Sequence, residues 1–288
     1  MGGRRTLEVA ARACNVGVEG VELSFQSPEL VPALLAREQP HVIIVLCMSR
    51  LFVLHHLDRT FLGGAAEPLK AATLDVVERD LKRGDPLPEP GEADAIVSLG
   101  GDQSVRDIDK YDYLQAEVKY LRDEAERGTP ILGVCLGGQL LAHALGGTVD
   151  RLPRRIVKWA AVEKLPAAEG DPVIGPLPNP VHALHWNEDG FSIPPGGVEL
   201  LTRAAPEGAD AFRWGESAWG IQFHPEADAD ALEGWYSDVD WLIEAGVEEE
   251  AAREADRVHL PGQRATAEGI FGGFVSYVLR RMAPVRPR

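Results

Sequence analysis

The chain has 288 residues, of which 45% are hydrophobic, and a formal net charge of −16. This length and hydrophobic content suffice for one large α/β core with room for additional segments. The acidic charge disfavours nucleic acid as a partner, because phosphate backbones attract basic surfaces. The apolar run at residues 42–47 is too short to cross a bilayer, and the first residues lack a signal-peptide pattern. We therefore expect a cytoplasmic protein with no membrane partner.

The predicted strands and helices alternate from residue 51 onward. Strands are predicted at 51–54, 73–77, 93–99 and 130–134, with helices at 65–72 and 113–127 between them. Such alternation is typical of an α/β fold with a doubly wound, mostly parallel sheet, in which ligands bind beyond the carboxyl ends of the strands. The predicted strands that end at Leu99, Val134 and Phe223 should bring their following residues together there.

The two ends of the chain do not follow this alternation. Residues 1–47 are predicted to be an N-terminal extension, either a genuine appendage or the result of a misassigned start, preceding a domain at 48–227. Helical spacing of apolar residues predicts helices at 232–245, 248–258 and 265–282. Residues 228–288 should therefore form a C-terminal helical segment packed on the domain.

The most informative motif is TPILGVCLGGQ at residues 129–139, where an apolar strand leads into a helix through Cys135. Gly133 and Gly137 flank this cysteine at two residues on either side, as a sharp strand-to-helix turn requires. A thiol at the N-terminus of a helix meets free backbone N–H groups, which favour the reactive thiolate. Cys14 and Cys47 lie in no comparable motif, and no C-x-x-C pair suggests a zinc or redox site.

A second motif, WGIQFHPE at residues 219–226, ends a short apolar strand with His224 and Glu226. Together with Cys135, these residues suggest a cysteine–histidine–carboxylate triad. The pattern G-x-C-x-G-x-Q, followed about ninety residues later by F-H-P-E, resembles the class I, triad-type glutamine amidotransferases. The resemblance covers about residues 50–227 and is greatest to the stand-alone, guanylate-synthetase-like branch, which implies a flavodoxin-like fold.

The resemblance implies a role for each site residue. Cys135 would attack the glutamine side-chain amide to form a γ-glutamyl thioester, His224 would transfer protons, and Glu226 would orient His224. The backbone N–H groups of Gly101 and Leu136 would form the oxyanion hole. Gln139 is expected to contact the bound glutamine, and no metal or other cofactor is required.

The segment LHWNEDGF at residues 184–191 departs from the family pattern. Relatives of this branch tend to carry a histidine-glycine-aspartate run where this chain has Asn187, Glu188 and Asp189. Because the segment helps to hold the glutamine backbone in the family, Glu188 is predicted to lie at the mouth of the glutamine pocket. Its carboxylate would either pair with the substrate's ammonium group or repel the substrate's carboxylate.

Three functions are compatible with these motifs. The first is a glutaminase-type amidotransferase that releases ammonia to a separate synthetase or other acceptor protein. The second is a hydrolase of another γ-glutamyl amide that uses the same triad, and the third is a catalytically idle binding protein with the same fold. The GGDQS sequence at residues 100–104 lacks the second glycine and the lysine of a P-loop, so the acceptor chemistry is expected to lie elsewhere.

Overall fold

A computed structural model describes residues 49–57, 61–71, 74–202 and 209–282. The predicted extension at residues 1–47 lies outside this part of the chain. The described strands, in chain order, are β1 Arg50–His56, β2 Asp75–Asp80, β3 Ala95–Gly101, β4 Ile131–Val134, β5 Val149–Lys164, β6 Val181–Phe191, β7 Gly197–Thr202, β8 Ala209–Trp214 and β9 Ala218–Ile221. The α-helices are α1 Ala66–Lys70, α2 Asp112–Arg127, α3 Leu136–Ala144, α4 Ala229–Tyr236, α5 Val239–Ala245 and α6 Glu249–Met282.

The strands form one mixed sheet in the order β2-β1-β3-β4-β9-β8-β7-β5-β6. Neighbours from β2 to β9 pair in parallel, so the α/β fold expected from the sequence is confirmed. Beyond β9 the pairing is antiparallel, and the long β5 and β6 form the outermost pair. This antiparallel extension, built from residues 149–214, was not part of the sequence-based prediction.

Helices cover both faces of the parallel strands. Successive side chains of a strand point to opposite faces, so β1 contributes Phe52 and Leu54 to one core cluster and Leu51 and Val53 to another. The first cluster is completed mainly by α2 and α3. The second cluster includes residues of α1 and of the C-terminal half of α6, among them Leu69, Ile270, Phe271 and Phe274.

The C-terminal helices differ from the prediction in two respects. The helix predicted at 232–245 is two helices, α4 and α5, because the side chain of Asp238 caps a new helix by accepting from the N–H of Trp241 at 3.1 Å. The helices predicted at 248–258 and 265–282 are one continuous helix, α6, so the predicted break between them was wrong. Proline and glycine commonly interrupt helices, but helix α6 continues through Pro261 and Gly262.

Residues of α4 and α5 form a third apolar cluster with β5 and β6, which contains Val157, Leu184, Leu232, Tyr236 and Leu242. Among the described residues, no helix is long and apolar enough to cross a membrane.

Candidate active site

Cys135 lies at the turn between β4 and α3 with φ 51° and ψ −108°. It is the only non-glycine residue with positive φ in the described part of the chain, a strained conformation that is typical of functional turns. A Cβ atom at Gly137 would overlap the carbonyl oxygen of Ser98, and one at Gly133 would lie 2.5 Å from the carbonyl oxygen of Gly137. The flanking glycines are therefore required by close backbone contacts.

The segment that carries His224 leaves the sheet beside this turn. Strand β9 ends at Ile221, two residues before the predicted end at Phe223, and the carbonyl of Ile221 accepts from the N–H of Cys135 at 2.8 Å. The N–H of His224 donates to the carbonyl of Leu184 in β6 at 2.9 Å. The backbone of the histidine segment is thus fixed between two strands.

Cys135, His224 and Glu226 lie together and are almost fully buried, with 6%, 5% and 4% of their surfaces exposed. A Cβ atom at Gly100 would lie 3.1 Å from Cε1 of His224 and 3.6 Å from Cβ of Cys135. The carboxamide of Gln222 donates to Sγ of Cys135 at 3.8 Å. The side chains that the two sequence motifs supply therefore meet in one place.

Both ring nitrogens of His224 face hydrogen-bond acceptors. Nδ1 lies 2.7 Å from Oε1 of Glu226, and Nε2 lies 3.3 Å from the carbonyl oxygen of Trp186. A ring that donates from both nitrogens is an imidazolium. Burial by itself lowers the pKa of His224, but the negative charges of Cys135 and Glu226 outweigh it and raise the pKa well above its ordinary value. The site thus favours an imidazolium beside the cysteine sulfur.

The two backbone segments predicted to form the oxyanion hole are adjacent. Leu136 is the first residue of α3, and a Cβ atom at Gly101 would lie 2.8 Å from Cδ2 of Leu136. Gly101 was predicted to lie in the loop after the third strand, but it is the last residue of β3 and is paired with His56. The strand reaches it because a register shift between Leu54 and His56 lengthens the pairing.

Gln139 is buried, and its carboxamide connects α3 to β6 and to the residue that follows β9. Nε2 donates to the carbonyl of Asp189 at 3.1 Å and to Oε1 of Gln222 at 3.2 Å. The side chain therefore holds the end of β6 close to the turn that bears Cys135.

Glu188 forms ion pairs with two arginines of β5. Its carboxylate contacts Arg151, and Oε2 lies 2.9 Å from Nε of Arg155. Arg155 also lies 3.2 Å from Glu244 of α5 and 4.1 Å from the ring of Trp241. The next residue, Asp189, accepts from the hydroxyl of Ser104 at 2.5 Å. The sequence indicated that this segment is unusual, but it did not identify the arginine partners.

Two residues that the sequence did not indicate also contact His224. The indole of Trp235 in α4 packs edge-on against its ring, and the side chain of Gln263 in α6 donates to its backbone carbonyl. Neither residue belongs to a recognisable motif, so only the tertiary contact identifies it. The described residues contain no group of three or more histidine, cysteine, aspartate or glutamate side chains that could hold a metal ion.

The family model of class-I glutamine amidotransferases matches residues 72–234, which is more than half of the chain. The chain therefore belongs to the class I glutamine amidotransferase family.

Curated relatives carry related names. The chain is 29% identical over 153 residues to the glutamine amidotransferase-like protein YfeJ of Salmonella typhimurium, covering 51% of this chain and 62% of YfeJ. It is 31% identical over 182 residues to the glutamine-hydrolyzing GMP synthase of Aeropyrum pernix, covering 61% of this chain and 32% of that protein. It is 28% identical over 143 residues to one subunit of the glutamine-hydrolyzing GMP synthase of Saccharolobus solfataricus, covering 49% of this chain and 71% of that relative. The chain thus spans less than two thirds of the length of the first two relatives.

Solved structures show the same fold. A glutamine amidotransferase from Thermotoga maritima superimposes with a TM-score of 0.69 at 23% identity, covering 79% of this chain and 98% of the other. A glutamine amidotransferase from Methylobacillus flagellatus superimposes with a TM-score of 0.70 at 24% identity, covering 80% of this chain and 95% of the other.

Proposed function

We propose that this protein hydrolyses the side-chain amide of glutamine through a thioester on Cys135 and releases ammonia to a separate acceptor protein. The observation that carries this proposal is the buried His224 ring, which donates to Glu226 and whose pKa is raised beside the cysteine at the strained turn. An imidazolium next to a thiolate is the arrangement that this chemistry requires at its start.

The proposed reaction has two steps, formation of the thioester on Cys135 and its hydrolysis. The thiolate of Cys135 attacks the amide carbon, a C–S bond forms, and the C–N bond breaks as the His224 imidazolium gives its proton to the departing ammonia. Neutral His224 then takes a proton from water, whose oxygen attacks the thioester. The C–S bond breaks, the product releases its carboxyl proton to solvent and leaves as glutamate, and the thiolate of Cys135 and the imidazolium of His224 are restored. Throughout the cycle, Glu226 holds the Nδ1 proton and stabilises the charged ring.

The N–H groups of Gly101 and Leu136 are proposed to stabilise the oxyanion that forms in both steps. This role is supported by the position of the end of β3, which lies next to the start of α3. Donors of this kind are each worth about a hundredfold or more in rate.

Gln139 and Glu188 are proposed to act on substrate binding. Gln139 holds the end of β6 in place through the carbonyl of Asp189, and this is the segment that binds the glutamine backbone according to the family resemblance. Glu188 has two arginine partners, and a carboxylate paired in this way repels a substrate carboxylate less than a free one would. This pairing favours glutamine as the substrate.

A separate synthetase is proposed as the ammonia acceptor. Support comes from the match to a GMP synthase subunit, of which the aligned region covers 71%.

The test is hydrolysis by the purified protein, with ammonia and glutamate measured together. Glutamine is compared with a panel of γ-glutamyl amines, and Cys135→Ser is compared with Cys14→Ser, the same substitution at a cysteine outside both motifs. We expect equal yields of ammonia and glutamate from glutamine, loss of activity in Cys135→Ser, and wild-type activity in Cys14→Ser. Faster hydrolysis of a γ-glutamyl amine than of glutamine would refute glutamine as the substrate. The absence of any hydrolysis would refute the enzyme assignment.

A further inference from the structure

The side chain of Gln263 in helix α6 contacts the backbone of His224. Gln263 is buried, with 4% of its surface exposed, and its Nε2 donates to the carbonyl oxygen of His224 at 2.5 Å. A carbonyl oxygen only accepts, so the carboxamide must present its NH₂ group to it. The same oxygen also accepts from the N–H of Ala227 at 3.3 Å. Helix α6 thereby restrains the peptide that carries the imidazole.

The ring of His224 is restrained from a second helix. Trp235 of α4 lies with its ring centroid 4.8 Å from that of His224 at an interplanar angle of 63°. It also packs at 5.4 Å against Trp186, whose carbonyl oxygen faces Nε2 of His224. Edge-to-face packing of this kind limits rotation of the imidazole about its side-chain bonds.

The two helices are joined to each other close to these contacts. Asp256 of α6 accepts from the hydroxyl of Tyr236 in α4 at 2.5 Å and from Nε1 of Trp159 in β5 at 2.8 Å. Burial, together with the bond to Asp256, raises the pKa of Tyr236, so its hydroxyl remains a donor. Gln263 and Trp235 therefore belong to one connected support.

We propose that Gln263 and Trp235 are positioning residues that hold the His224 imidazole between Cys135 and Glu226. Gln263 fixes the backbone of the histidine, and Trp235 fixes the plane of its ring. The kinetic tests that use glutamine as the substrate rest on the proposed function. The geometric argument concerns only the Cys135–His224 pair. Displacement of a reacting group by about 1 Å can cost about a hundredfold in rate, so the loss of either contact should reduce turnover.

The pH dependence of kcat/KM distinguishes a positioning role from simple support of the fold. Cys135 and Glu226 together raise the pKa of His224. Other titratable groups on the surrounding elements have partners of their own: Tyr236 pairs with Asp256, His185 with Asp210, and His56 with Glu117. Glu188 pairs with Arg151 and Arg155. If the imidazole moves away from Cys135 and Glu226, its pKa falls, and the high-pH limb of kcat/KM should shift to lower pH.

The test uses the full chain with Gln263→Met, which keeps side-chain volume but removes the donor, and with Trp235→Leu. Trp235→Phe is the conservative variant, and Arg264→Met is the matched control because Arg264 is exposed and pairs only with Glu268 among the ion pairs of the described residues. We expect Gln263→Met and Trp235→Leu to lower kcat by about ten- to a hundredfold with little change in KM. Trp235→Phe should restore most of the activity, and Arg264→Met should match wild type.

A second readout does not depend on the substrate. Iodoacetamide alkylation at pH 7 is followed by mass spectrometry on the peptide that contains Cys135, with circular dichroism to establish that each variant is folded. Alkylation should be several-fold slower in Gln263→Met and Trp235→Leu, because a displaced imidazolium stabilises the thiolate less. Wild-type protein that is alkylated rapidly but hydrolyses no γ-glutamyl amide would refute the proposed function and leave the positioning role standing.

Three results would overturn the positioning role. The first is a folded Gln263→Met protein whose kcat, high-pH limb of kcat/KM and alkylation rate all equal those of Arg264→Met. The second is a rise in the KM for glutamine with unchanged kcat in Gln263→Met and Trp235→Leu. The third is a Trp235→Phe protein as impaired as Trp235→Leu, and this comparison decides the matter if Gln263→Met does not fold.

Discussion

Replacement of Glu226 by glutamine tests the electrostatic basis of the site. The substitution keeps an oxygen that can accept from Nδ1 of His224 and removes the negative charge. In the native protein these two atoms are 2.7 Å apart, and both side chains are about nineteen-twentieths buried. The native hydrogen bond is therefore charge-assisted and poorly screened by water, which makes the loss of charge measurable.

The expected magnitude follows from the strength of such bonds. Hydrogen bonds to charged groups contribute about 1.5 to 3 kcal/mol. A loss of this size from the transition state lowers kcat/KM about ten- to a hundredfold. Because Glu226 helps to raise the pKa of His224, the high-pH limb of kcat/KM should also shift to lower pH in Glu226→Gln.

The effect on stability has a definite sign. A raised pKa in the folded state means that the imidazolium stabilises the fold fully below the pKa of the unfolded chain, about 6.5, and that this stability is lost as pH rises through the folded pKa of His224. With Glu226 ionised, the difference in Tm between wild type and Glu226→Gln should therefore be fully present just below about pH 6.5 and shrink as pH rises through the folded pKa of His224.

The assays are ammonia release from glutamine as a function of pH and thermal melting followed by circular dichroism. Glu268→Gln serves as the control, because it makes the same chemical change in an exposed ion pair with Arg264. The reasoning is refuted if Glu226→Gln retains kcat/KM within about twofold of the control with its high-pH limb unmoved.

Two further substitutions test the turn and the substrate pocket. Gly137→Ala, whose new Cβ would overlap the carbonyl oxygen of Ser98, should lower the free energy of unfolding by about 3 kcal/mol. Gly234→Ala, which has open space around it, should raise it by up to about 1 kcal/mol. The free energy of unfolding is measured by denaturant titration, and equal values for the two proteins would contradict the steric argument. Glu188→Gln loses the ion pairs that join this residue of β6 to Arg151 and Arg155 of β5. Because these pairs hold the proposed substrate-binding segment in place, the change should raise the KM for glutamine with little change in kcat; a lower KM would instead indicate repulsion of the substrate carboxylate.

The sequence was sufficient to predict the features that depend on neighbouring residues. Gly133 is needed because a strand turns directly into a helix there, and its close contact with the carbonyl oxygen of Gly137 is set within five residues. The motif also placed a glycine at 137, although the contact that requires it, with Ser98 of β3, is made only in the folded sheet. The alternation of apolar strands and helices likewise predicted the parallel strands β1, β3 and β4 within a few residues of their observed bounds. His224 and Glu226 were identified by a motif that is contiguous in the chain.

The tertiary structure decided the features that depend on distant partners. Helix α6 is continuous over the residues between the two predicted helices. Its Asp256 accepts from Trp159 of β5, and its Phe274 packs against Trp219 of β9. Glu188 acquires its arginine partners only because β5 and β6 pair across 33 residues of chain. Gln263 reaches the carbonyl of His224 across 39 residues. Local spacing carries no information about which side chains meet over such separations, because the sheet and its covering helices must first bring them into contact.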